Sequence, residues 1–474
     1  MNASLDSNVN YPWLHRSFDI DRLVAEYPPP PTFFDGIFRA SRDEVRALQE
    51  KRFLQTMQRG WEIAFFQRHW RSAGMEPGDI KGLADLPKIP AYTVEHIRKS
   101  IEAHPPFGDF MGVAPGGPNP MPLVLQTSGG TTGLPRPMLY SPRDREVMAI
   151  LGARRYAMQG MVPGDMVLVA FSLGLSNGGM ANREILWKYT GAVPVMTGGG
   201  ATTPTRRQIE ICKAWGINVV LAFPSYLRHM ALVARDEMGI DVRDFKVRML
   251  GSHIGIEDRK TIEELWGAPC YDSYGTHENG TLATECKLQN GMHINEDAFF
   301  LEIADPETGA VVEDGERGSL HITTLFRDSA PQIRFNINDV SSYMTGPDCP
   351  CGCTFRRLTK IYGRNDNMIK VRGVNVFPEA VGVAVAADTR TNGEFFCIIE
   401  RVGESGREEL TVMTEVRDMA AHSGAVKEDL ERRLKEVIGL RTTVVPVGVR
   451  ELDPHTGTSQ TSKVKRLLDK RKAT

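Results

Sequence analysis

Net charge is nearly absent from this 474-residue chain: 57 lysines and arginines stand against 59 aspartates and glutamates, a formal net of −2. Proteins that grip duplex nucleic acid neutralise phosphates and are visibly basic. No nucleic-acid partner is therefore expected. Cysteine is scarce as well, with seven residues in all. That is no disulfide framework, so reduced thiols and a cytoplasmic address are expected. No run approaches the roughly 18 consecutive apolar residues of a spanning helix, so no membrane partner is expected. The stretch Met1–Trp13 has no basic start followed by an apolar run, which argues against a secretory leader. Apolar residues themselves are plentiful, 41% against 24% charged, which excludes disorder. A single core rarely grows beyond roughly 250–300 residues, so two or more domains are expected.

The first stretch, to about residue 115, reads mainly helical. Leu54, Met57, Trp61 and Phe65 recur at three- and four-residue steps, predicting an amphipathic helix. The middle alternates strands with helices: a strand over 166–171, a weaker one over 192–196 interrupted by Pro194, a helix over 205–215 and a strand over 218–223. That alternation predicts βαβ units and a largely parallel sheet. From 297 to 343 short strands and glycine turns take over. Beyond 364 comes a small α+β unit. Its helix carries Val426, Leu430, Leu434, Val437 and Ile438 on one face and Gly439 as its stop. The expected fold is α/β. A large N-terminal domain, 1–364, has parallel or mixed sheets with helices and a β-rich part, and a small C-terminal α+β domain spans 365–474. A homodimer is left open.

One segment carries chemistry on its face. Directly after Leu123-Val124-Leu125 comes Gln126-Thr127-Ser128-Gly129-Gly130-Thr131-Thr132-Gly133-Leu134-Pro135-Arg136. Glycine lets a backbone turn tightly and approach a ligand. Successive N–H groups then cradle an anion, and hydroxyls add donors. A nucleotide polyphosphate is the natural guest. No Gly-Lys-Ser/Thr follows, so this is not a Walker loop. The alternative, a flexible linker, does not explain paired threonines between glycines or the strand feeding them.

The cysteines cluster. Cys349-Pro350-Cys351-Gly352-Cys353 places three thiols in five residues, and Cys286 precedes His293 by seven positions. Three cysteines and a histidine form a common structural zinc set. The Cys-x-Cys spacing is tighter than most zinc knuckles, so spacing alone leaves metal and plain reduced thiols both open.

The glycine loop resembles the phosphate loop of the acyl-adenylate-forming enzymes, nearest to the phenylacetate–CoA ligase branch, and the resemblance continues in order along the chain. The resemblance places Thr127, Ser128, Gly129, Gly130, Thr131, Thr132 and Gly133 on the phosphates of ATP. Phe223-Pro224-Ser225-Tyr226 is similar to the acid-pocket segment, giving Phe223, Pro224 and Tyr226, with Gly251 and Ser252 beside them. Tyr271-Asp272-Ser273-Tyr274-Gly275-Thr276-His277-Glu278 resembles a Tyr-Gly-x-x-Glu motif. It implies nucleotide contacts at Asp272, Tyr274 and Gly275 and a Mg²⁺ ligand at Glu278. Asp339 matches the ribose-binding aspartate, and Arg364 the arginine on ribose or phosphate. Asp366 matches the interdomain hinge, Gly373 the glycine passed by pantetheine, and Lys463 the lysine of adenylate formation. The branch's Cys–His–Cys-Pro-Cys pattern implies zinc on Cys286, His293, Cys349 and Cys351, with Cys353 a competitor.

The implied activity is ligation of an aromatic or arylalkanoic acid to coenzyme A, driven by ATP with Mg²⁺. Glu278 and Lys463 would be its catalytic residues. Two alternatives remain. One passes the acyl group to a carrier-protein thiol or an amine. The other is a nucleic-acid binder using the basic tail Lys463, Lys465, Arg466, Lys470, Arg471 and Lys472. The chain departs from the family where Gly-Ala-Glu-Pro is replaced by Gly251-Ser252-His253-Ile254, which puts the acid substrate in question.

Overall fold

The structure is a computed structural model. It describes residues 14–116, 120–128, 135–255, 257–365, 369–372, 374–376, 378–403, 406–458 and 464–472. Helices dominate the beginning. The longest, Arg42–Trp61, starts at a capping box in which Ser41 and Glu44 satisfy each other's backbone N–H. It buries Val45, Phe53, Met57 and Gly60, while Leu54 is 40% exposed. The chain breaks at Glu62–Ile63 and resumes as Ala64–Arg71. The stripe Leu54–Met57–Trp61–Phe65 therefore straddles two helices: its spacing survived, but the turn between them is invisible to periodicity.

A two-stranded hairpin, β1 (Val124–Thr127) and β2 (Pro137–Tyr140), flanks the glycine loop. The parallel sheet follows, from β3 (Met166–Val169), β4 (Val193–Met196), β5 (Val219–Leu221), β6 (Met249–Gly251) and β7 (Cys270–Tyr271). Its order is β4-β3-β5-β6-β7. Pro194 is tolerated because β4 is an edge strand. Side chains alternate between the faces. Val167, Val169, Val219, Leu221 and Met249 enter one core, and Leu168, Val220 and Leu250 the other.

The β-rich part begins with β8 (Ser273–Thr276), β9 (Gly280–Glu285) and β10 (Met292–Ile294). Next come β11 (Phe299–Ala304), β12 (Gly318–Thr324) and β13 (Phe335–Ser341). β14 (Arg357–Leu358) returns to pair with β10, and β15 (Gly363–Arg364) pairs with β13. The last pairing sets Asp339 opposite Arg364.

Beyond it lie the hairpin β16 (Ile369–Val371) and β17 (Val374–Val376) and a sheet of order β20-β19-β18-β21. The sheet's strands are β18 (Thr391–Val402), β19 (Arg407–Val416), β20 (Thr443–Val447) and β21 (Leu467–Asp469). Helix Met419–Ile438 buries Val426, Leu430, Leu434 and Ile438 on this sheet and ends at left-handed Gly439. Val437, expected on the same face, is 50% exposed. Its position is one residue off the i, i+4 ladder, which turns it about 100° away. This unit has a core of its own, assembled from Val371 onward. It meets the larger part through Arg228, which reaches the carbonyl of Gly393 (3.5 Å), and through the Arg450–Glu237 ion pair.

Candidate active site and candidate metal centre

Three neighbouring parallel strands end in aromatic residues. Phe171 lies just past β3, Phe223 just past β5 and His253 just past β6. The carboxyl ends of parallel strands are where open α/β sheets bind ligands. The Phe171 and Phe223 rings meet edge-on with centroids 4.9 Å apart, and His253 sits 5.8 Å from each. His253 Nδ1 lies 2.6 Å from the Ser273 carbonyl, so that nitrogen carries a proton. Burial, with Arg155 second, lowers the imidazole pKa to about 4.

An added Cβ at Gly251 would lie 2.6 Å from Leu221 Cδ2, so that side chain would have to shift. Ser252 Oγ donates to the Ala222 carbonyl (2.7 Å), tying the ends of β5 and β6 together. Pro224 opens helix Pro224–Met238 from its first turn. Tyr226 belongs to the opposite core from Phe223's neighbours, and its hydroxyl is held by Thr205 (3.1 Å) and Gln208 (2.9 Å).

The hairpin end is tied to the same edge. Thr127 N–H donates to the Leu175 carbonyl (2.8 Å), in the loop after β3, and Ser128 N–H to the Arg136 carbonyl (3.1 Å). Gly129, Gly130, Thr131, Thr132 and Gly133 lie outside the described residues. Arg136 turns its guanidinium onto the Glu278 carboxylate, and both side chains are buried. Burial works to raise the Glu278 pKa. Arg136 beside it outweighs that and holds the carboxyl at about 2. The Glu278 carbonyl accepts from Arg327, and the His277 carbonyl accepts from Tyr140 (2.5 Å) and Asn177 (2.8 Å).

On the other side of β8, Tyr274 Oη donates to Asp339 Oδ2 (2.6 Å), and Arg364 lies 3.1 Å from Asp339 Oδ1. Burial and then Asp339 raise the Tyr274 pKa well above its ordinary value, so the phenol keeps its proton. Gly275 is forced small: a Cβ there would sit 2.4 Å from the Gly280 carbonyl. Asp272 turns inward. Its carboxylate accepts the N–H groups of Ile254 (2.7 Å) and Gly255 (3.1 Å), bracing the turn that carries His253.

Apart from this site, Cys286, His293, Cys349 and Cys351 bring their ligand atoms within 4.8 Å of one another. Cys286 and Cys349 sulfurs are 3.7 Å apart, and Cys351 Sγ is 3.5 Å from His293 Nε2. A tetrahedron of Zn–S bonds of about 2.3 Å and a Zn–N bond of about 2.0 Å has edges of roughly 3.5–3.8 Å, so the donor set fits zinc. Cys353 stands apart as a buried thiol whose pKa burial pushes up to about 12. Its backbone N–H points at Cys351 Sγ (3.4 Å).

Residues 79–325 match the AMP-binding enzyme family, and residues 373–471 match the AMP-binding enzyme C-terminal domain. The chain belongs to the AMP-binding enzyme family. It is 30% identical over 429 residues to the phenylacetate-coenzyme A ligase of Aromatoleum evansii, covering 88% of this chain and 93% of that one. Identity to the phenylacetate-coenzyme A ligase of Thermus thermophilus is also 30%, over 91% of this chain and 98% of the relative. The fold superposes on 2-hydroxyisobutyryl-CoA ligase in the postadenylation state with a TM-score of 0.82, 26% identity and coverage of 98% and 97%. Against that ligase in the thioesterification state, in complex with 2-HIB-AMP and CoA, the TM-score is 0.67 at 28% identity, with 94% of both chains covered.

Three positions implied by resemblance to AMP-binding enzymes, Asp366, Gly373 and Lys463, lie outside the described residues. Arg136 stood inside the recognised motif, yet only the folded chain shows its partner. Arg327 and Asn177 carried no sequence signal, because each acts by reaching a backbone carbonyl from a distant segment.

Proposed function

We propose that the chain is an ATP-dependent ligase joining an aromatic or arylalkanoic acid to coenzyme A through an acyl-AMP, with release of AMP and pyrophosphate. The observation that carries this reading is the convergence on β8. The Tyr274–Asp339–Arg364 chain flanks it on one side, and Glu278 with Arg136 links it to the glycine loop on the other.

A free carboxylate is a poor electrophile, because its leaving group would be oxide. Attack of its oxygen on the α-phosphorus of ATP forms a P–O bond and expels pyrophosphate. Asp339, already polarised by Tyr274 and Arg364, is the group to accept the ribose hydroxyls. Thr127, Ser128 and the glycines after them cradle the β- and γ-phosphates. The ionised Glu278 suits Mg²⁺, which, once bound, neutralises polyphosphate charge. Lys463, a compact charge on a flexible stem, bridges substrate carboxylate and phosphate. A thiolate of coenzyme A then attacks the acyl carbon, and AMP leaves with the bridging oxygen.

The second step uses a different face of residues 365–474, swung about Asp366 so that Gly373 lines the pantetheine path. The better superposition on the postadenylation state supports the present pose as an early one in that cycle. Cys286, His293, Cys349 and Cys351 would hold a structural Zn²⁺, which would tie the 349–353 segment to the β9–β10 turn. Phe33, Phe38 and Phe355 pack the same cysteines against the N-terminal helices. No helix among the described residues is long and apolar enough to cross a membrane. A cytoplasmic address fits seven cysteines with no disulfide among them.

The test is Mg²⁺-dependent exchange of labelled pyrophosphate into ATP across a panel of carboxylic acids. Exchange with aromatic acids supports the reading, and exchange with none of the acids removes it.

A further inference from the structure

The aromatic cluster at the sheet edge leaves one polar atom unused. The Ser273 carbonyl can only accept, so it fixes the His253 proton on Nδ1. Nε2 is then the lone-pair nitrogen. Among the described residues it has no hydrogen-bond partner, and the ring is only half-buried, so the atom remains within reach of a ligand. Phe171 and Phe223 pack against the ring. The Asp272 carboxylate, between β7 and β8, is taken by the N–H groups of Ile254 and Gly255. Burial and Arg155 keep the imidazole neutral at ordinary pH. A neutral imidazole fixed in this way offers one acceptor beside two phenylalanine rings.

Such an atom distinguishes ligands by what they donate. An acid with a bare aromatic ring must strip water from Nε2 and leave it unsatisfied. An acid carrying a hydroxyl or amino group at the matching position replaces that water with its own hydrogen bond. A site with a placed polar group rejects the analogue that cannot answer it more strongly than an apolar site rejects an added group.

We infer that His253 is a specificity-determining residue, and that the acid substrate is an aromatic or arylalkanoic acid bearing a hydroxyl or amino donor that Nε2 accepts. This rests on the ligase reading and sharpens its substrate class. A competing use of the same atom is acceptance from the adenine amino group, since Ser273 adjoins Tyr274. The two uses differ in what they change. Acid selection alters the ratio between acids at fixed ATP, whereas adenine recognition alters the KM for ATP equally with every acid.

The experiment is pyrophosphate exchange by the full chain with phenylacetate, benzoate, and their ortho, meta and para hydroxyl and amino derivatives. It is run on the wild type, on His253→Phe, which keeps a ring and loses the acceptor, and on His253→Gln, whose amide oxygen accepts. The wild type should prefer at least one donor-bearing isomer over its parent by about tenfold or more in kcat/KM. His253→Phe should bring that ratio near one, and His253→Gln should restore part of it. Three results overturn the inference: a wild type indifferent to donors, a preference that survives His253→Phe, or a common rise in the KM for ATP with unchanged acid ratios. A wild type indifferent to donors overturns the inference even if a variant does not fold, and if only His253→Phe fails, a donor ratio in His253→Gln no different from that of wild type with the KM for ATP raised overturns it too. Absence of exchange with every acid is a different failure, because it removes the ligase reading and this inference with it.

Discussion

Arg136 and Glu278 close on each other in a buried ion pair, joining the strand after the glycine loop to the end of β8. Glu278 is thereby held ionised, and on the proposed reading Arg136 is the group that Mg²⁺ would displace. Replacing Glu278 by Gln should remove the Mg²⁺-dependent step, lowering pyrophosphate exchange by about a hundredfold or more. It also strands a buried guanidinium, so stability should fall by about 3 kcal/mol. The double variant Arg136→Met/Glu278→Gln should recover much of that stability and none of the activity. Chemical denaturation beside the exchange assay separates the two effects. Recovery of activity in the double variant would contradict the role given to Glu278.

Lys463→Ala should split the two half-reactions. Formation of the acyl-adenylate from acid and ATP should fall by about a hundredfold or more, while thioester formation from supplied acyl-adenylate and coenzyme A stays near wild type. Equal loss in both would contradict a lysine that serves adenylation alone.

Metal content should be one zinc per chain. Its verified removal by a chelator should lower the melting temperature by about 5 °C or more, and lower turnover at moderate temperature less than stability. Cys349→Ser should reproduce the effect. Cys353→Ser should retain zinc, because that side chain stands outside the four-ligand group. An unchanged melting curve after complete zinc removal would contradict a structural role.

Much of this was legible before folding. The order of motifs placed Tyr274, Glu278, Asp339 and Arg364, and their packing brings all four to β8 and its neighbours. The four candidate ligands also converge, and Cys353 stands outside their group with its N–H facing Cys351. Other features could not be read. Tyr226 was implied as a pocket residue by resemblance alone; that its side chain packs with the core of Leu168 and Val220, where Gln208 holds its hydroxyl, only the folded chain shows. His253 departs from a family motif, and the sequence left open whether it shapes adenine or acid recognition or only fills space. Its meaning depends on the Ser273 carbonyl and two phenylalanines from other strands, which sequence distance hides. The break at Glu62–Ile63 was missed because both helices keep the same apolar rhythm.

His321 supplies a pH test of the β-rich core. It lies buried on β12, and burial, then Arg334, lowers its pKa to about 4. An unfolded histidine titrates near 6.5. Between these values the unfolded chain binds a proton that the folded chain refuses, so stability is complete above pH 6.5 and falls as pH drops toward 4. Between pH 7.5 and 5 this amounts to about 2 kcal/mol for this group. Other groups titrate in the same range, so the measurement is a difference: urea unfolding of wild type and His321→Gln at both pH values. The variant should lose about 2 kcal/mol less than wild type on going to pH 5. Identical losses would contradict a neutral buried His321.

The central claim is that a carboxylate is activated as its adenylate and delivered to coenzyme A. The most direct measurement labels both carboxylate oxygens of an accepted acid with ¹⁸O and follows the products by mass spectrometry in the presence of ATP, Mg²⁺ and coenzyme A. The acyl-AMP route predicts AMP carrying one ¹⁸O, formed one for one with acyl-CoA and pyrophosphate. ADP as the product, AMP without label, or labelled AMP with no thioester would contradict it.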